Sequence, residues 1–371
     1  MSSKATTSDE QWMRRALALA LRGYGRTSPN PMVGAVLVRG ETKLGEGWHH
    51  AAGQPHAEIE AIRHAKRRGE RIAGSTLYVT LEPCCTHGRT PPCTDAIIDA
   101  RIARVVVGAG DPNPKHAGKG LRLLCAGGIR VSDGILSEEA TAMNEAFNHW
   151  IVHRTPFVTV KAAMTLDGKI ATANGESKWI TGEPARRQGM RLRERADAIL
   201  IGVNTILADD PSLTFRGTRA KPKPLRRIIL DTQARTPLKA KVVSDKNADS
   251  TTIVIGRTAP KQRAAALAAP VNVWVAPVRN KQIDLRWLLR RLGRDEVVEV
   301  LVEGGGEVNA SFLLNGLAHR VAFFYAPKIL GGRESTKAVG GAGLLRKEDW
   351  LRLSQVEWKT TGRDLFMTAT V

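Results

Sequence analysis

One histidine, one glutamate and two cysteines near the N-terminal end have the types and spacing to do chemistry together. His56 and Glu58 form His-x-Glu, and Cys84 follows Pro83, with Cys93 further along the chain. One imidazole and two thiolates fill three positions of a tetrahedral zinc ion and leave the fourth open, which is typical of catalytic zinc sites. Glu58 is not needed as a ligand, so it is free to carry protons from water to a departing amine. The pattern predicts a zinc-dependent deaminase that acts on a nucleobase-like ring.

Two other interpretations of these residues stay open at the level of sequence. A structural zinc site needs a fourth protein ligand, which His87 or Cys85 could supply, but it gives no reason for Glu58. A metal-free arrangement would leave a satisfied histidine and two buried thiols. We favour the catalytic site because Pro-Cys follows His-x-Glu, and the second cysteine directly precedes an apolar helical segment.

The segment between the two cysteines departs from the usual deaminase pattern of Cys-x-x-Cys. Eight residues separate Cys84 from Cys93, and they are polar, basic and rich in turn formers. A loop between two zinc ligands must lie at the mouth of the site, so His87 and Arg89 are predicted to meet an anionic group of the substrate, although a solvated loop is the simpler alternative. Asn30, between two prolines, has an amide that suits the edge of a pyrimidine, although a plain turn asparagine is the simpler interpretation of these residues alone.

Several motifs together resemble one known family, the bifunctional deaminase–reductases of riboflavin biosynthesis. The matching segments are Ser28–Gly34, His56–Glu58, Glu82–Cys93 and Asp111–Pro114, and the resemblance covers essentially all 371 residues. It implies a cytidine-deaminase-like three-layer α/β domain over residues 1–152 and a dihydrofolate-reductase-like α/β domain over residues 157–371. His153 to Pro156 is interpreted as the linker. The implied cofactors are Zn²⁺ and NADPH.

The same resemblance implies two successive reactions on one phosphoribosyl pyrimidine. The substrate is expected to be 2,5-diamino-6-ribosylamino-4(3H)-pyrimidinone 5′-phosphate. The N-terminal half would release its 2-amino group as ammonia, and the C-terminal half would reduce the ribosyl group to ribityl with NADPH.

A glycine-rich turn is the main chemical feature of the second half. Glu303 to Glu307 reads Glu-Gly-Gly-Gly-Glu between a predicted strand and a predicted helix, which suits a phosphate cradle. The turn lacks the third glycine of the dinucleotide fingerprint, so a plain tight turn explains it equally well. Three further segments that resemble the reductase half are residues 165–171, 177–181 and 207–214.

The resemblance also assigns individual positions of the second half. Nucleotide binding is expected at Ala163, Trp179, Thr205, Asp209, Thr232, Gly305, Gly306, Glu307, Val308 and Asn309. Substrate binding is expected at Ser177, Arg193, Leu213, Arg216 and Glu303. The two arginines suit a ribose phosphate. Lys161 and Asp209 are both candidates for the proton donor of the reduction, and the sequence does not decide between them.

The elements that must position these residues alternate between strands and helices, which predicts an α/β class for both halves. We expect His56, Cys84 and Cys93 at helix starts, where the helix dipole favours thiolates. A helix is predicted from Glu138 to His149, and two strand-like segments at the C-terminal end.

Composition narrows the remaining function classes. The net charge is +20, but the basic residues are dispersed and aromatic residues make up only 5%, so small phosphorylated molecules are favoured over nucleic acid as partners. An RNA deaminase with a basic RNA-binding half is the nearest rival, and a zinc-stabilised interaction protein is another. The four cysteines and the lack of an apolar run of transmembrane length predict a cytoplasmic protein that makes no membrane contact. As a separate expectation, the protein is a candidate homo-oligomer.

Overall fold

The computed structural model describes residues 7–87, 91–217 and 223–371. The chain divides into two compact units, Met1–Arg154 and Thr155–Val371. We call them the N-terminal unit and the C-terminal unit.

The N-terminal unit contains five strands and six α-helices in the described residues. In chain order they are α1 Thr7–Ala20, β1 Gly34–Arg39, β2 Thr42–Trp48, α2 Ala57–Arg67, β3 Thr76–Leu81, α3 Cys93–Asp99, β4 Arg104–Ala109, α4 Lys119–Ala126, β5 Arg130–Ser132, α5 Ser137–Met143 and α6 Glu145–His153.

A five-stranded sheet with the order β2-β1-β3-β4-β5 forms the middle layer of this unit. Strand β1 is antiparallel to both β2 and β3, whereas β3, β4 and β5 are parallel. Ala35 and Leu37 of β1 pack with α2, α3 and α4 on one face, and Val36 and Val38 pack with α1 and α5 on the other. Alternate side chains of a strand point to opposite faces, so an apolar strand in this position requires a helical layer on each side. The predicted three-layer α/β class is confirmed.

The C-terminal unit is larger and contains the remaining elements. In chain order they are β6 Phe157–Thr165, β7 Lys169–Ala171, α7 Glu183–Arg195, β8 Ala198–Gly202, α8 Val203–Asp209, β9 Arg226–Leu230, α9 Lys241–Ser244, β10 Thr251–Gly256, α10 Lys261–Ala268, β11 Asn272–Ala276, β12 Val278–Arg279, β13 Gln282–Ile283, α11 Leu285–Arg294, β14 Glu299–Val302, α12 Gly306–Leu313, β15 Arg320–Ala326, β16 Thr336–Lys337, β17 Ser354–Thr361 and β18 Asp364–Thr370.

Its main sheet has nine strands in the order β11-β10-β9-β8-β14-β6-β15-β18-β17. The strands from β11 to β15 are parallel, and β18 and β17 add an antiparallel edge. Ile199 and Ile201 of β8 face α8, α9 and α10, and Leu200 faces α11 and α12. Because central parallel strands are covered on both faces, their sequences are continuous apolar runs. The sheet places the carboxyl ends of β6, β8, β9 and β14 along one edge.

Two features of the element order differ from the prediction. The helix predicted from Glu138 to His149 is two helices, α5 and α6, that meet at Asn144. Its side-chain amide bonds the backbone N–H and C=O of Met32, at 2.8 and 2.9 Å, and its backbone leaves the helical conformation. The second difference is strand β15, which occupies an inner position of the larger sheet and was not predicted. Across the described ranges, no helix combines the length and apolarity needed to cross a membrane.

Candidate active sites

The predicted zinc ligands converge in the N-terminal unit. His56 is the residue before the first turn of α2, Cys93 is the first residue of α3, and Cys84 follows the end of β3. Their ligand atoms all lie within 4.8 Å of one another. Cys84 is not at a helix start, so that part of the prediction is wrong: Pro83 and Cys84 continue from the carboxyl end of β3 as a loop.

The distances among these atoms fit a single metal ion. His56 Nδ1 lies 3.2 Å from Cys93 Sγ and 3.5 Å from Cys84 Sγ. Ordinary zinc bond lengths in a tetrahedron require N···S separations of about 3.6 Å, so little movement is needed. A hydrogen bond from Cys93 lowers the pKa of the Cys84 thiol to about 4, which favours the thiolate that a metal requires. The residues therefore fit the zinc ion that the resemblance implies.

Among the described residues, the metal cluster has three protein ligands and no fourth. Cys85 directs its Sγ toward His116 Nδ1, at 3.6 Å, and not toward the cluster. His87 is exposed. The set of three ligands has the form of a catalytic site with an open coordination position.

Glu58 is positioned for proton transfer and not for metal binding. It lies in the first turn of α2, two residues after His56, and its side chain is almost fully buried. Burial raises the pKa of its carboxyl group, since a charged carboxylate loses hydration there. A buried carboxyl group with a raised pKa is suited to both accept and release a proton during a reaction.

Asn30 has a partner that the sequence analysis missed. Its Nδ2 lies 3.1 Å from Nε2 of His49, a buried ring whose Nδ1 lies 3.1 Å from the carbonyl oxygen of Pro55. Burial lowers the pKa of His49 to about 4, so the ring is neutral at pH 7. Nδ1 then donates to Pro55, and Nε2 accepts from Asn30, which leaves Asn30 Oδ1 directed as an acceptor. The His-His pair before the Gly-Gln-Pro-His segment was the available signal.

A second missed residue, Glu82, anchors the loop that begins at Asp111. Its buried carboxylate accepts backbone N–H bonds from Asp111, Gly118 and Gly120, at 3.2, 2.9 and 3.0 Å. Because Glu82 lies two residues before Cys84, this loop is fixed to the segment that carries a zinc ligand. Arg89 lies outside the described residues, so its predicted role stays a prediction.

The C-terminal unit has two adjoining cavities at the carboxyl ends of its parallel strands. The first, of about 500 Å³, contains Lys161 and we call it the Lys161 cavity. The second, of about 560 Å³, contains Arg235 and we call it the Arg235 cavity. Thr205 and Gly305 line both, so the two cavities meet at the start of the glycine-rich turn.

The predicted residues divide between the two cavities. Those lining the Lys161 cavity are Lys161, Ala163, Ser177, Trp179, Arg193, Thr205, Asp209, Arg216, Glu303, Gly305 and Asn309. Those lining the Arg235 cavity are Thr205, Thr232, Gly305, Gly306, Glu307 and Val308. Leu213 is buried in the core beside β8 and α8, and it is not among the described residues that line either cavity.

A buried charge cluster occupies the floor of the Lys161 cavity. Glu303 receives two hydrogen bonds from Arg193, at 2.7 and 2.9 Å, and its Oε2 lies 3.6 Å from Lys161 Nζ. Burial disfavours the charged carboxylate, but the two cations outweigh burial and lower the pKa of Glu303 to about 2. The bidentate pair commits much of the Arg193 fork to Glu303. Arg216, which is exposed, is then the better candidate of the two arginines for a phosphate.

Three other residues of this cavity differ in how their side chains are held. Ser177 Oγ donates to Asp209 Oδ1 at 3.0 Å. Trp179 is 65% exposed, and the Arg186 guanidinium lies 4.6 Å from its ring centroid. Asn309 is buried and donates from Nδ2 to the carbonyl of Ala338 at 2.8 Å, while its Oδ1 has no hydrogen-bond partner in the described chain. An orphaned buried acceptor at a cavity wall suits a donor on a bound molecule.

The glycine-rich turn has packing reasons for its composition as well as binding reasons. A Cβ at Gly306 would lie 2.2 Å from the carbonyl oxygen of Lys337, which only glycine avoids. Gly305, in contrast, has room for a Cβ and lies open to both cavities. The tight-turn interpretation therefore explains Gly306, and Gly305 offers its backbone to a ligand. The open backbone and the polar side chains at the cavity walls fit a phosphorylated nucleotide such as NADPH.

Comparisons with known proteins match the N-terminal and C-terminal units to two different family models. A family model described as the cytidine and deoxycytidylate deaminase zinc-binding region matches residues 6–109, and the RibD C-terminal domain model matches residues 156–367. The riboflavin biosynthesis protein RibD of Actinobacillus pleuropneumoniae is 42% identical over 370 residues, which cover 100% of this chain and 97% of that protein. RibD of Aquifex aeolicus is 43% identical, covering 96% of this chain and 97% of the relative.

Solved structures show the same relationship over the whole chain. Acinetobacter baumannii RibD superposes with a TM-score of 0.85 at 34% identity, covering 98% of each chain. The diaminohydroxyphosphoribosylaminopyrimidine deaminase/5-amino-6-(5-phosphoribosylamino)uracil reductase of Thermotoga maritima gives 0.81 at 34% identity, again over 98% of each chain. The chain belongs to the RibD family of riboflavin biosynthesis proteins.

Proposed function

We propose that this chain catalyses two consecutive steps of riboflavin biosynthesis on one substrate. The first is hydrolytic deamination of 2,5-diamino-6-ribosylamino-4(3H)-pyrimidinone 5′-phosphate, and the second is reduction of its ribosyl group to ribityl. We assign the deamination to a domain of residues 1–152 and the reduction to a domain of residues 157–371. The product is 5-amino-6-(5-phospho-ribitylamino)uracil.

In the deaminase half, His56, Cys84 and Cys93 would hold zinc, which when bound supplies Lewis-acid activation of water. Glu58 takes a proton from the attacking water and delivers it to the 2-amino group, which leaves as ammonia. Asn30, with its amide set by His49, accepts a hydrogen bond from the edge of the pyrimidine. His87 and Arg89 are proposed to meet the phosphate at the mouth of the site.

In the reductase half, NADPH supplies the reducing equivalents when it is bound. Its proposed binding residues are Ala163, Trp179, Thr205, Asp209, Thr232 and Gly305 to Asn309. The substrate is assigned to Ser177, Arg193, Arg216 and Glu303. The predicted Leu213 is left out of this assignment, because it is buried and, among the described residues, lines neither cavity. Of the two proton-donor candidates we favour Lys161, because its ammonium group lies at the wall of the Lys161 cavity, 3.6 Å from Glu303, while Asp209 accepts a hydrogen bond from Ser177.

One observation carries the proposal: three soft or borderline ligands meet within 4.8 Å, and a buried glutamate follows one of them by two residues. The test is incubation of the purified protein with the pyrimidine phosphate, with and without NADPH, followed by mass analysis. We expect ammonia and the deaminated ribosyl compound without NADPH, and the ribityl product with it. Unchanged substrate in both incubations would contradict the proposal.

We further propose that the chain forms a homo-oligomer through the edge strand β17. Trp358 and Val356 on β17 are 56% and 47% exposed, and Leu365 of the neighbouring strand is 41% exposed. An edge strand has unpaired backbone groups, so a second copy of the chain is the partner that suits it. Light scattering should give a mass above the monomer for the wild type, and Trp358→Lys should lower that mass. Lys359→Gln, a change of the next residue, is the matched control.

For location and other partners, we propose a cytoplasmic protein that acts on small phosphorylated molecules. The four described cysteines are free, and two of them serve the metal cluster, which suits a reducing compartment. Salt-dependent, submicromolar binding to RNA would count against this view.

A further inference from the structure

Two cations line the Arg235 cavity and have no role in the reaction as described. They are Arg235, in the loop after β9, and Lys281, in the turn between β12 and β13. Both side chains are exposed, and no carboxylate pairs with either within the described ranges. Arg193 and Lys161 of the Lys161 cavity differ from them, because both are paired with Glu303.

Arg235 is mounted on a rigid turn. The residue after it, Thr236, donates its backbone N–H and its hydroxyl to the buried carboxylate of Asp231, both at 2.7 Å. Arg263 also stabilises this turn, because its guanidinium donates hydrogen bonds to the carbonyl oxygens of Ala234 and Thr236 at 3.2 and 2.7 Å. A turn fixed in this way holds the arginine in place at little entropic cost on binding.

The guanidinium itself is partly oriented. Its Nη2 donates to Asn204 Oδ1 at 2.9 Å, and Asn204 also lines the cavity, in the first turn of α8. The remaining N–H groups are left for a ligand. A planar guanidinium with several free donors matches the oxygens of a phosphate monoester. An ammonium ion binds the same group with less selectivity.

We propose that Arg235, assisted by Lys281, binds the 2′-phosphate of the adenosine ribose and so makes the enzyme select NADPH over NADH. The inference rests on the proposed reductase function of the C-terminal unit. The rest of the lining fits this placement, because Thr232 and the turn from Gly305 to Val308 line the same cavity. The carboxylate of Glu307, which also lines it, accepts a hydrogen bond from the backbone N–H of Gly341 at 3.0 Å. NADH has a neutral 2′-hydroxyl in place of the 2′-phosphate. Loss of Arg235 should therefore lower the affinity for NADPH and leave the affinity for NADH unchanged.

The test measures binding and not turnover. Dissociation constants of the full-length protein for NADPH and NADH are determined by calorimetry for the wild type, Arg235→Gln, Lys281→Gln and Lys239→Gln. Lys239→Gln is the matched control, because it removes a positive charge from an exposed side chain four residues further along that does not line the cavity within the described residues. Adenosine 2′,5′-bisphosphate, adenosine 5′-monophosphate and ribose 5-phosphate serve as fragment probes.

We expect Arg235→Gln to weaken NADPH about tenfold to a hundredfold, as for loss of a charged hydrogen-bonding fork, and to change NADH by less than about twofold. Lys281→Gln should weaken NADPH about threefold, since a flexible ammonium ion contributes less. Adenosine 2′,5′-bisphosphate should follow NADPH, and adenosine 5′-monophosphate should follow NADH. The control should match the wild type throughout.

Other results would overturn the inference in distinguishable ways. Equal weakening of NADPH and NADH, or unchanged NADPH binding in both Arg235→Gln and Lys281→Gln, refutes the 2′-phosphate role. Weakened ribose 5-phosphate with unchanged adenosine 2′,5′-bisphosphate assigns Arg235 to the substrate phosphate instead. A wild type that binds neither dinucleotide contradicts the reductase assignment itself, whereas the other outcomes leave that assignment intact.

Discussion

The zinc cluster and the reductase cavities are built from the chain in different ways. In the N-terminal unit, three ligands and one glutamate lie within one short stretch of chain, at two helix starts and one strand end. In the C-terminal unit, residues from Lys161 to Thr336 line the cavities, and four parallel strands must be aligned before the cavities exist. Glu58 and Cys93 of the first site are buried while His56 and Cys84 are partly exposed, and the second site consists of two adjoining cavities.

The difference follows from what each ligand demands. A metal ion requires fixed bond lengths, so its protein ligands need a rigid, local frame. A dinucleotide is long and makes many weaker contacts, so its site extends along a sheet edge. Substitutions should therefore have abrupt effects in the N-terminal unit and graded effects in the C-terminal unit.

The largest effect is expected from removal of a zinc ligand. Cys84→Ala should abolish ammonia release, by at least about a thousandfold, because two remaining ligands hold zinc poorly. Elemental analysis should give one zinc per chain for the wild type and none for the variant. Cys125→Ala, at an exposed cysteine outside the cluster, is the control. Full deamination by zinc-free protein would break the comparison.

Glu58→Gln should keep the zinc and slow deamination by about two to four decades, the usual range for a lost general acid–base group. The amide has the size of the carboxyl group but cannot carry the proton. Ammonia release is the measurement, together with zinc content. NADPH oxidation should be nearly normal when the deaminated intermediate is supplied. Ammonia release near the wild-type rate would show that Glu58 has a structural role only.

Glu303 should give the C-terminal unit a pH-dependent stability. Its pKa is lowered from 4.5 to about 2 in the folded state, so its contribution is present above pH 4.5 and is lost as the pH falls toward 2. The difference corresponds to about 3 kcal/mol for a buried carboxylate. Chemical unfolding of the wild type and Glu303→Gln at several pH values should show curves that converge at the acidic end. Parallel curves would mean that Glu303 is not the titrating group.

The two proton-donor candidates should separate in the reductase assay. Lys161→Met should lower NADPH oxidation about a hundredfold. Asp209→Asn should lower it less, about tenfold, since the amide oxygen can still accept the hydrogen bond from Ser177. Ammonia release should be intact in both variants, which must be folded and retain zinc. The reverse order would make Asp209 the donor, and loss of deamination in Asp209→Asn would contradict the assignment of the two reactions to separate domains.

The smallest effect is expected at His49, which acts through Asn30. His49→Ala should raise the KM of deamination about tenfold with a smaller change in kcat, because the amide of Asn30 loses its fixed orientation while zinc and Glu58 stay in place. Zinc content should be unchanged. His50→Ala, a change at the exposed neighbouring histidine, is the matched control. An equal loss of kcat, or loss of zinc, would indicate that His49 supports the metal cluster instead.

Much of this protein could be predicted from its sequence, and most readily where the chemistry is local. His56, Glu58, Cys84 and Cys93 were found because zinc chemistry restricts residue types and spacing within a short segment. The α/β class was predicted because strands and helices alternate along the chain, and buried strands such as Thr76–Leu81 and Ala198–Gly202 leave compact apolar runs. The break at Asn144 was missed because its cause, a pair of hydrogen bonds to Met32, joins residues far apart in sequence.

What only the tertiary structure decided is the set of partners. The pairing of Glu303 with Arg193 and Lys161, the support of Asn30 by His49, and the anchoring of the Asp111 loop by Glu82 each join segments from different elements. Nothing in the local sequence distinguishes an arginine that pairs with a carboxylate of the protein from one that is available to bind a phosphate. That distinction depends on which side chain lies opposite after the sheet has formed. By itself, the sequence determined the α/β class, the zinc ligands and the family resemblance; the fold determined which charges are neutralised and which, such as Arg235, face an open cavity.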